Sequence, residues 1–354
     1  MLQDASVVPV RTIGLDLGDR VSHVCALDAA GACVDTCTIP TTAAGIQRYF
    51  GVAARWRVVC EVGTHSPWIA RALTALGHAV FVANPSAMYG RRRRRRNDAL
   101  DAEFLARQGR ADPTLLHAIQ HRRATAQTDL AILHARDQLV AVRTKLINHV
   151  RGTVKATGAR LSASSAETFV TRATPDVPPL LLPAVAPVLA MITTLTQQIR
   201  AYDAQIQTLI ATTYPVAQRL QQPKGVGPLT ALAFVLLVDD PTRFKQSRTV
   251  GAYFGLVPKL DESSTATPQL GITKTGDEYG RRLLVSAAHY ILGPFGPPCD
   301  LRDHGDAIRA RGGANATKRA VVAVARKLAV LLHRLWVSEQ PYMPTYNAER
   351  RRAA

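Results

Sequence analysis

Three short β-rich runs, residues 11–17, 21–28 and 33–39, follow one another with only the turns GDR and DAAGA between them. Connections this short join antiparallel neighbours, because a parallel pair needs a crossover of a dozen residues or more; the runs therefore predict an antiparallel meander. The pattern then changes. Thr41 and Thr42 offer caps for a helix through about Ala54, RVVCE reads as a strand, SPWIARALTALG as a helix closed by Gly77, and HAVFVAN as a further strand.

Three hairpin-linked strands followed by alternating helices and strands match the ribonuclease-H-like topology. A doubly wound nucleotide-binding fold would instead begin with parallel strands and a Gly-rich turn, and GLDLGD is not GxGxxG. The predicted class is α/β plus α: an N-terminal ribonuclease-H-like, resolvase-like domain, a helical coiled-coil connector, and a mostly helical C-terminal domain.

Within the first region, Asp16 closes the apolar run TIGLD and Glu61 closes VVCE. A strand that ends in a carboxylate puts the charge on the rim of a sheet, where a ligand reaches it without the oxygens being buried. Asp98 and Asp101 stand three apart at the start of a predicted helix, NDALDAEFLARQG, and so face one side. Taken singly, the four are a rim acid, a capping acid and two solvated helix charges. As an ordered set they suit hard cations, Mg2+ or Mn2+, which take oxygen ligands and act in pairs on phosphodiesters.

The charge balance narrows the partners. Lys and Arg number 44 against 26 Asp and Glu, a net charge of +18, which favours a polyanion, either nucleic acid or an anionic membrane surface. No stretch of 18 apolar residues lacks charge or Pro, and MLQDASVVPVR has no basic-then-apolar leader, so a cytoplasmic, nucleoid-associated protein is expected and no membrane partner. The cysteines Cys25, Cys33, Cys37, Cys60 and Cys299 form no zinc-type spacing and are expected to pack as small apolar groups. Beside the acidic helix stands an unbroken cationic run, Arg91, Arg92, Arg93, Arg94, Arg95 and Arg96. A solvated charge run or a localisation patch would account for it; phosphate is its natural partner.

The middle of the 354-residue chain is helical. Residues about 125–156 give a long amphipathic helix with Leu139, Val142, Leu146 and Val150 on one face, and a second helix carries Ile192, Leu195, Ile199, Tyr202, Ile206 and Leu209 at coiled-coil spacing. An intramolecular hairpin and a dimer seam both satisfy that pattern. Further on, PKGVGPLTALAFVLLV reads as a Gly-containing turn between helices or a phosphate-binding helix-hairpin-helix turn. The polar loop ESSTATPQLGITKTGD holds Ser263 and Ser264, with Lys274, Arg281 and Arg282 close downstream. A serine attacks phosphorus where cations stabilise the developing charge, although loop serines usually serve turns.

The order GLDLGD, EVGTHSPWIARALTALGH, NDALDAEFLA, GAYFGLVP, ESS, GITKTGDEYGRRLL and VVAVARKLA resembles the DEDD-type insertion-sequence transposases, relatives of the pilin-gene-inverting recombinases, from about residue 11 to 345. The resemblance implies a catalytic domain over 1–120, a coiled-coil connector over 121–215 and a C-terminal transposase domain over 216–354. It implies that Asp16, Glu61, Asp98 and Asp101 bind Mg2+ or Mn2+, and that a serine is the nucleophile. That serine falls five residues after the proline of GLVP and nine before the isoleucine of GITK, which selects Ser263, with Ser264 as its rival.

Also implied are donor and target DNA as substrates, a noncoding guide RNA, and homodimers that join into tetramers. The Arg91–Arg96 run and Lys274, Arg281, Arg282, Lys318, Arg319, Arg326 and Lys327 would then hold DNA or RNA backbone. Departures from the family pattern are Ser264 in place of the Gly that commonly follows the serine, Gly280 where Leu is usual, and Asp19 where a basic residue is frequent. The alternative is a metal-dependent ribonuclease-H-like nuclease or Holliday-junction resolvase that uses water; a non-catalytic nucleic-acid scaffold is a third reading.

Overall fold

The computed structural model describes residues 11–51, 55–85, 97–259 and 270–347. The chain divides into two compact units, 1–121 and 122–354.

The first unit is built on a five-stranded mixed sheet. Strands β1 (Thr12–Asp16), β2 (Val21–Leu27) and β3 (Cys33–Pro40) form the expected meander, and β4 (Arg57–Glu61) and β5 (Ala79–Ala83) add to it in parallel, in the order β3-β2-β1-β4-β5. The strand period of two sorts the side chains. Ile13, Leu15, Val58 and Cys60 pack with Ile46 and Phe50 of α1 (Ala43–Phe50) and with Ile69 and Leu73 of α2 (Ser66–Ala75). Gly14, Cys25, Leu27 and Val59 face the other way, onto α3 (Asp98–Ala111).

The predicted helix ends are in place: Thr42 accepts a hydrogen bond from the Gly45 amide, and Gly77 takes φ +89° after α2. Asn97, which the sequence reading did not single out, caps α3 by accepting one from the Ala99 amide. Cys25, Cys60 and Cys299 are buried as expected, whereas Cys33 is exposed on the outer strand.

In the second unit, α4 (Ala124–Lys155) is followed by the short α5 (Phe169–Ala173) and by α6 (Leu182–Thr212), and α4 and α6 pack along each other. Arg136 pairs with Asp203 and Arg143 reaches Thr196, so the helices run antiparallel. Ile192, Leu195, Ile199 and Ile206 of the expected seam are buried within the single chain. The α6 region, Pro179–Thr212, is long and apolar enough to cross a membrane by length and composition, with mean hydropathy 1.8 over its most apolar 18-residue window; its buried stripe here lies in the hairpin.

The face expected on α4 holds at Val150, which is buried, and in part at Leu146, which packs on the same core, but it fails at Val142. Val142 is 42% exposed, and the other inward positions are Leu133, Arg143, Ile147 and Val154. Arg143 breaks the apolar pattern: it is buried yet paired with Glu167, and a charged residue at a core position hides the true phase from a hydropathy reading. Ile147→Ala is therefore expected to cost about 2–4 kcal/mol and Val142→Ala less than about 0.5, as read from urea midpoints.

Beyond the hairpin, α7 (Pro215–Arg219) leads through Gly225, at φ +96°, into α8 (Pro228–Val238). The segment ALAFVLLV is apolar on every side, and Ala231 through Val238 are all buried. Packed around it are α9 (Val250–Tyr253), α10 (Glu278–Leu292), α11 (Asp300–Ala310) and α12 (Ala316–Ser338), in one core that also takes Leu130 and Leu133 of α4. Gly280 has a packing reason: a Cβ there would lie 2.5 Å from Leu237 and 2.6 Å from Phe254, so a larger residue would push α10 off α8.

Candidate active site

The sheet and α3 bring the four carboxylates to one end of the first unit. Asp16 is the last residue of β1 and Glu61 the last of β4. Leu15 lies opposite Cys60 in the parallel register, so Asp16 and Glu61 stand one step further along on adjacent strands. Gly14 and Val59, two residues before them, both lie under α3, and the strand period places the two acids on that same face. Asp98 and Asp101 occupy the first turn of α3 and complete the cluster, beside the positive end of the helix dipole.

Electrostatics records the grouping. Burial pushes the Asp16 carboxyl up from 3.8 to about 6, and Asp98, Asp101 and Glu61 push it further in the same direction, while His23 opposes them. Three further carboxylates that raise the proton affinity of Asp16 make a site that attracts a cation, and a donor set made only of carboxylate oxygens fits a hard divalent ion. Among the described residues no three His, Cys, Asp or Glu side chains are close enough to cage an ion by themselves. Solvent or substrate oxygens would therefore have to complete any coordination shell, as is usual for Mg2+.

A close backbone approach sets the position of α3. A Cβ on Gly14 would lie 1.8 Å from the Ala102 carbonyl oxygen and 2.6 Å from the Ala106 nitrogen, so only glycine lets helix and strand meet here. The Gly109 end is equally tight, with 2.3 Å from an added Cβ to Val59. Helix α3 is thus clamped over β1 and β4, one turn away from the pair of acids it carries.

Two groups at this rim were not singled out from sequence. His23 is the antiparallel partner of Asp16, and its Nε2 lies 3.6 Å from Asp98. The Trp68 indole N–H donates to His65 Nδ1 at 3.1 Å, which leaves Nε2–H facing Asp19, 3.3 Å away. That chain ties the loop after Asp16 to the loop after Glu61. The register could have pointed to His23, since Asp16 and His23 flank a tight turn; the Trp68–His65–Asp19 chain is a tertiary contact with no sequence periodicity.

The expected serine, Ser263, and its rival Ser264 lie outside the described residues, as do Arg91 to Arg96. The feet of the serine loop are described. Lys259 donates its amide to Gly271, Thr273 to Val257 and Lys274 to Gly255, and Pro258 bridges Ile272, which makes a short two-stranded stem. Gly255 and Gly276 both take positive φ, +65° and +93°, where the stem meets α9 and α10.

The cations expected downstream separate into two groups. Arg281 donates to the Phe254 carbonyl, and Arg282 pairs with Asp137 at 2.6 Å while stacking on Tyr279, so both brace α10 within the bundle. Lys274, Lys318, Arg319, Arg326 and Lys327 instead line a single open groove of about 1650 Å³.

Two transposase families match the chain. Residues 13–158 match the DEDD transposase family of IS110 elements, and residues 217–298 match the transposase family of IS116, IS110 and IS902. The chain is 28% identical to the transposase for insertion sequence element IS1111A of Coxiella burnetii, over 95% of this chain and 92% of that protein. It is 29% identical to a probable family 20 transposase of Pseudomonas aeruginosa, over 94% of this chain and 98% of the relative. A putative transposase of Sinorhizobium fredii, y4pF/y4sB, is 32% identical over 65% of this chain and 59% of its own length.

Proposed function

The chain belongs to the IS110 family of DEDD transposases, and from that premise we propose that it cuts and rejoins DNA strands through a covalent link to Ser263, assisted by divalent ions at Asp16, Glu61, Asp98 and Asp101. The observation that carries the reading is the convergence of four carboxylates on one sheet rim, with Asp16 held near 6 by burial and by the other three. The sheet order 3-2-1-4-5, with the acids on its first and fourth strands and on the helix that covers them, supports a ribonuclease-H-like assignment for the first unit.

Mg2+ or Mn2+ bound at these oxygens would orient the scissile phosphate and offset the charge that builds on it. The chain's own contribution is placement. Gly14 sets the height of α3 over the rim, and the Trp68–His65–Asp19 chain links the loops that follow Asp16 and Glu61. Ser263 Oγ bonds to phosphorus as the bridging P–O bond breaks, and the serine proton ends on the departing strand oxygen. The phosphodiester bond energy stays in the protein–DNA link until the hydroxyl of another strand reverses the exchange. Arg91 to Arg96 and the groove cations hold the nucleic-acid backbone, and base pairing to a noncoding guide RNA selects donor and target. Protomers that pair as homodimers and join into tetramers would hold both DNAs together, with the three segments 1–120, 121–215 and 216–354 acting as catalytic, connecting and serine-bearing parts.

A water-using nuclease has one point in its favour: all four acids lie in a unit that does not include the serine loop. Labelled donor DNA incubated with the purified chain, Mg2+ and the RNA that co-purifies with it separates the two readings. Strand joining is expected, and it is expected to fail when that RNA is removed. Cleavage to free ends alone, with no joined product under any RNA condition, would establish the nuclease.

A further inference from the structure

The groove in the second unit is lined by Lys and Arg side chains from several stretches of chain, with Asp300 as the one acid among its described lining residues. One wall is α12, where Lys318, Arg326 and Arg334 are exposed along a stretch of about 24 Å at 1.5 Å per residue. The cationic field is felt inside: burial lowers the proton affinity of His304 on α11, and Lys327 and Arg311 lower it further. Such a surface calls for a polyanion.

The apolar part of its lining is of another kind. Ile272, Ile308 and Leu331 are half-buried in it, and Leu270 and Met343 stand 37% and 50% exposed. A paired duplex turns phosphates outward and keeps its base faces stacked, so it would leave those apolar groups facing charge and water. An unpaired strand offers both a phosphate chain and bare base faces, and proteins that bind such strands combine cations with apolar or aromatic platforms. Tyr346 at the rim, with the Arg334 guanidinium 5.6 Å from its ring, is a platform of that type.

Location selects among strands. Pro258, Leu270, Ile272 and Lys274, which line the groove, are the feet of the loop that carries Ser263. We propose that this groove holds an unpaired segment of the DNA strand undergoing exchange, so that unwinding is stabilised at the feet of the serine-bearing loop. The inference rests on the proposed serine chemistry for its choice of DNA, and on charge and apolar lining for its choice of an unpaired strand.

The test uses the full-length chain freed of co-purifying nucleic acid, with four labelled probes of one length: a DNA strand, its duplex, the same strand with abasic sites through the centre, and the RNA strand. At about 0.15 M salt the DNA strand is expected to bind at least about tenfold tighter than the duplex and the abasic strand, from base–platform contacts. Leu270→Ser together with Met343→Ser changes only exposed lining residues and is expected to erase most of the abasic penalty. Arg326→Ala with Lys327→Ala is expected to weaken every probe and to flatten the salt dependence. Equal binding of strand, duplex and abasic probe, all weakened by the Arg326/Lys327 pair, overturns the unpaired-strand assignment while leaving backbone binding by these cations intact. An RNA strand that outcompetes the DNA strand overturns the choice of DNA. If the cation pair changes no probe, the groove is not a nucleic-acid site and the backbone role given to it above fails too.

Discussion

Asp16→Asn is expected to lower DNA strand joining by about three orders of magnitude while making the metal-free chain more stable at neutral pH. The loss follows from removing a carboxylate that serves charge stabilisation at the phosphate, a contribution of several kcal/mol at about tenfold per 1.4 kcal/mol. The gain follows from the sign of the pKa shift. Burial, Asp98, Asp101 and Glu61 raise the folded-state carboxyl from 3.8 to about 6. A raised pKa costs nothing below the unfolded value, and the destabilisation builds as pH climbs through about 6. Asparagine removes that cost, on the order of 1 kcal/mol once solvent screening at a half-buried group is allowed for.

Thermal melts in chelator at pH 5 and pH 7.5 check the sign. The wild-type chain should gain stability toward pH 5 from this group, and the variant should show less of that dependence. Added Mg2+ at pH 7.5 should raise the wild-type melting temperature and leave the variant nearly unmoved. A variant that melts below wild type at pH 7.5 in chelator, with its Mg2+ response intact, would mean that the four acids do not act as one anionic site.

Gly14→Ala is expected to be the most damaging single methyl in the first unit. The new Cβ would fall 1.8 Å from the Ala102 carbonyl oxygen and 2.6 Å from the Ala106 nitrogen, both backbone atoms that cannot rotate away. Strand and helix would have to part by about 1.5 Å to restore ordinary contact, at a cost of about 3 kcal/mol or more. Asp98 and Asp101 travel with α3, and a misplacement of about 1 Å in a catalytic set costs on the order of 100-fold in rate. Strand joining at a temperature where the variant stays folded should therefore fall by at least about 100-fold. Alanine at Gly152, where an added Cβ meets nothing within 4 Å on α4, should be neutral or stabilising by about 0.5–1 kcal/mol. Equal, mild effects at the two positions would show that α3 does not depend on Gly14 for its seat.

How much of this could be read from residues alone varies with the range of the interaction. The meander, the parallel additions and the rim position of Asp16 and Glu61 were legible, because turn length dictates pairing and a period of two dictates facing. The start of α3 was legible from the spacing of its two acids, while its Asn97 cap was not singled out. The contact that seats α3 was not, since a glycine in a strand says only that something comes close and not what. On α4 the phase was misread at Val142 because Arg143 occupies a core position through its pair with Glu167. The groove escaped notice for a different reason. Its cations are scattered between Arg248 and Arg334, and only the packing of α11, α12 and the loop stem turns them into one surface. The same packing separates Arg281 and Arg282, held by Phe254 and Asp137, from cations such as Lys274, which sequence proximity had grouped with them.

The covalent state of residue 263 is the most direct test of the central claim. Wild-type chain incubated with donor DNA, Mg2+ and its co-purifying RNA, then denatured and mapped by peptide mass, should carry DNA on the peptide that contains Ser263. The link should disappear in Ser263→Ala, together with strand joining, and persist in Ser264→Ala. Joined DNA formed without any protein-linked strand, or a link unchanged by Ser263→Ala, would contradict the mechanism.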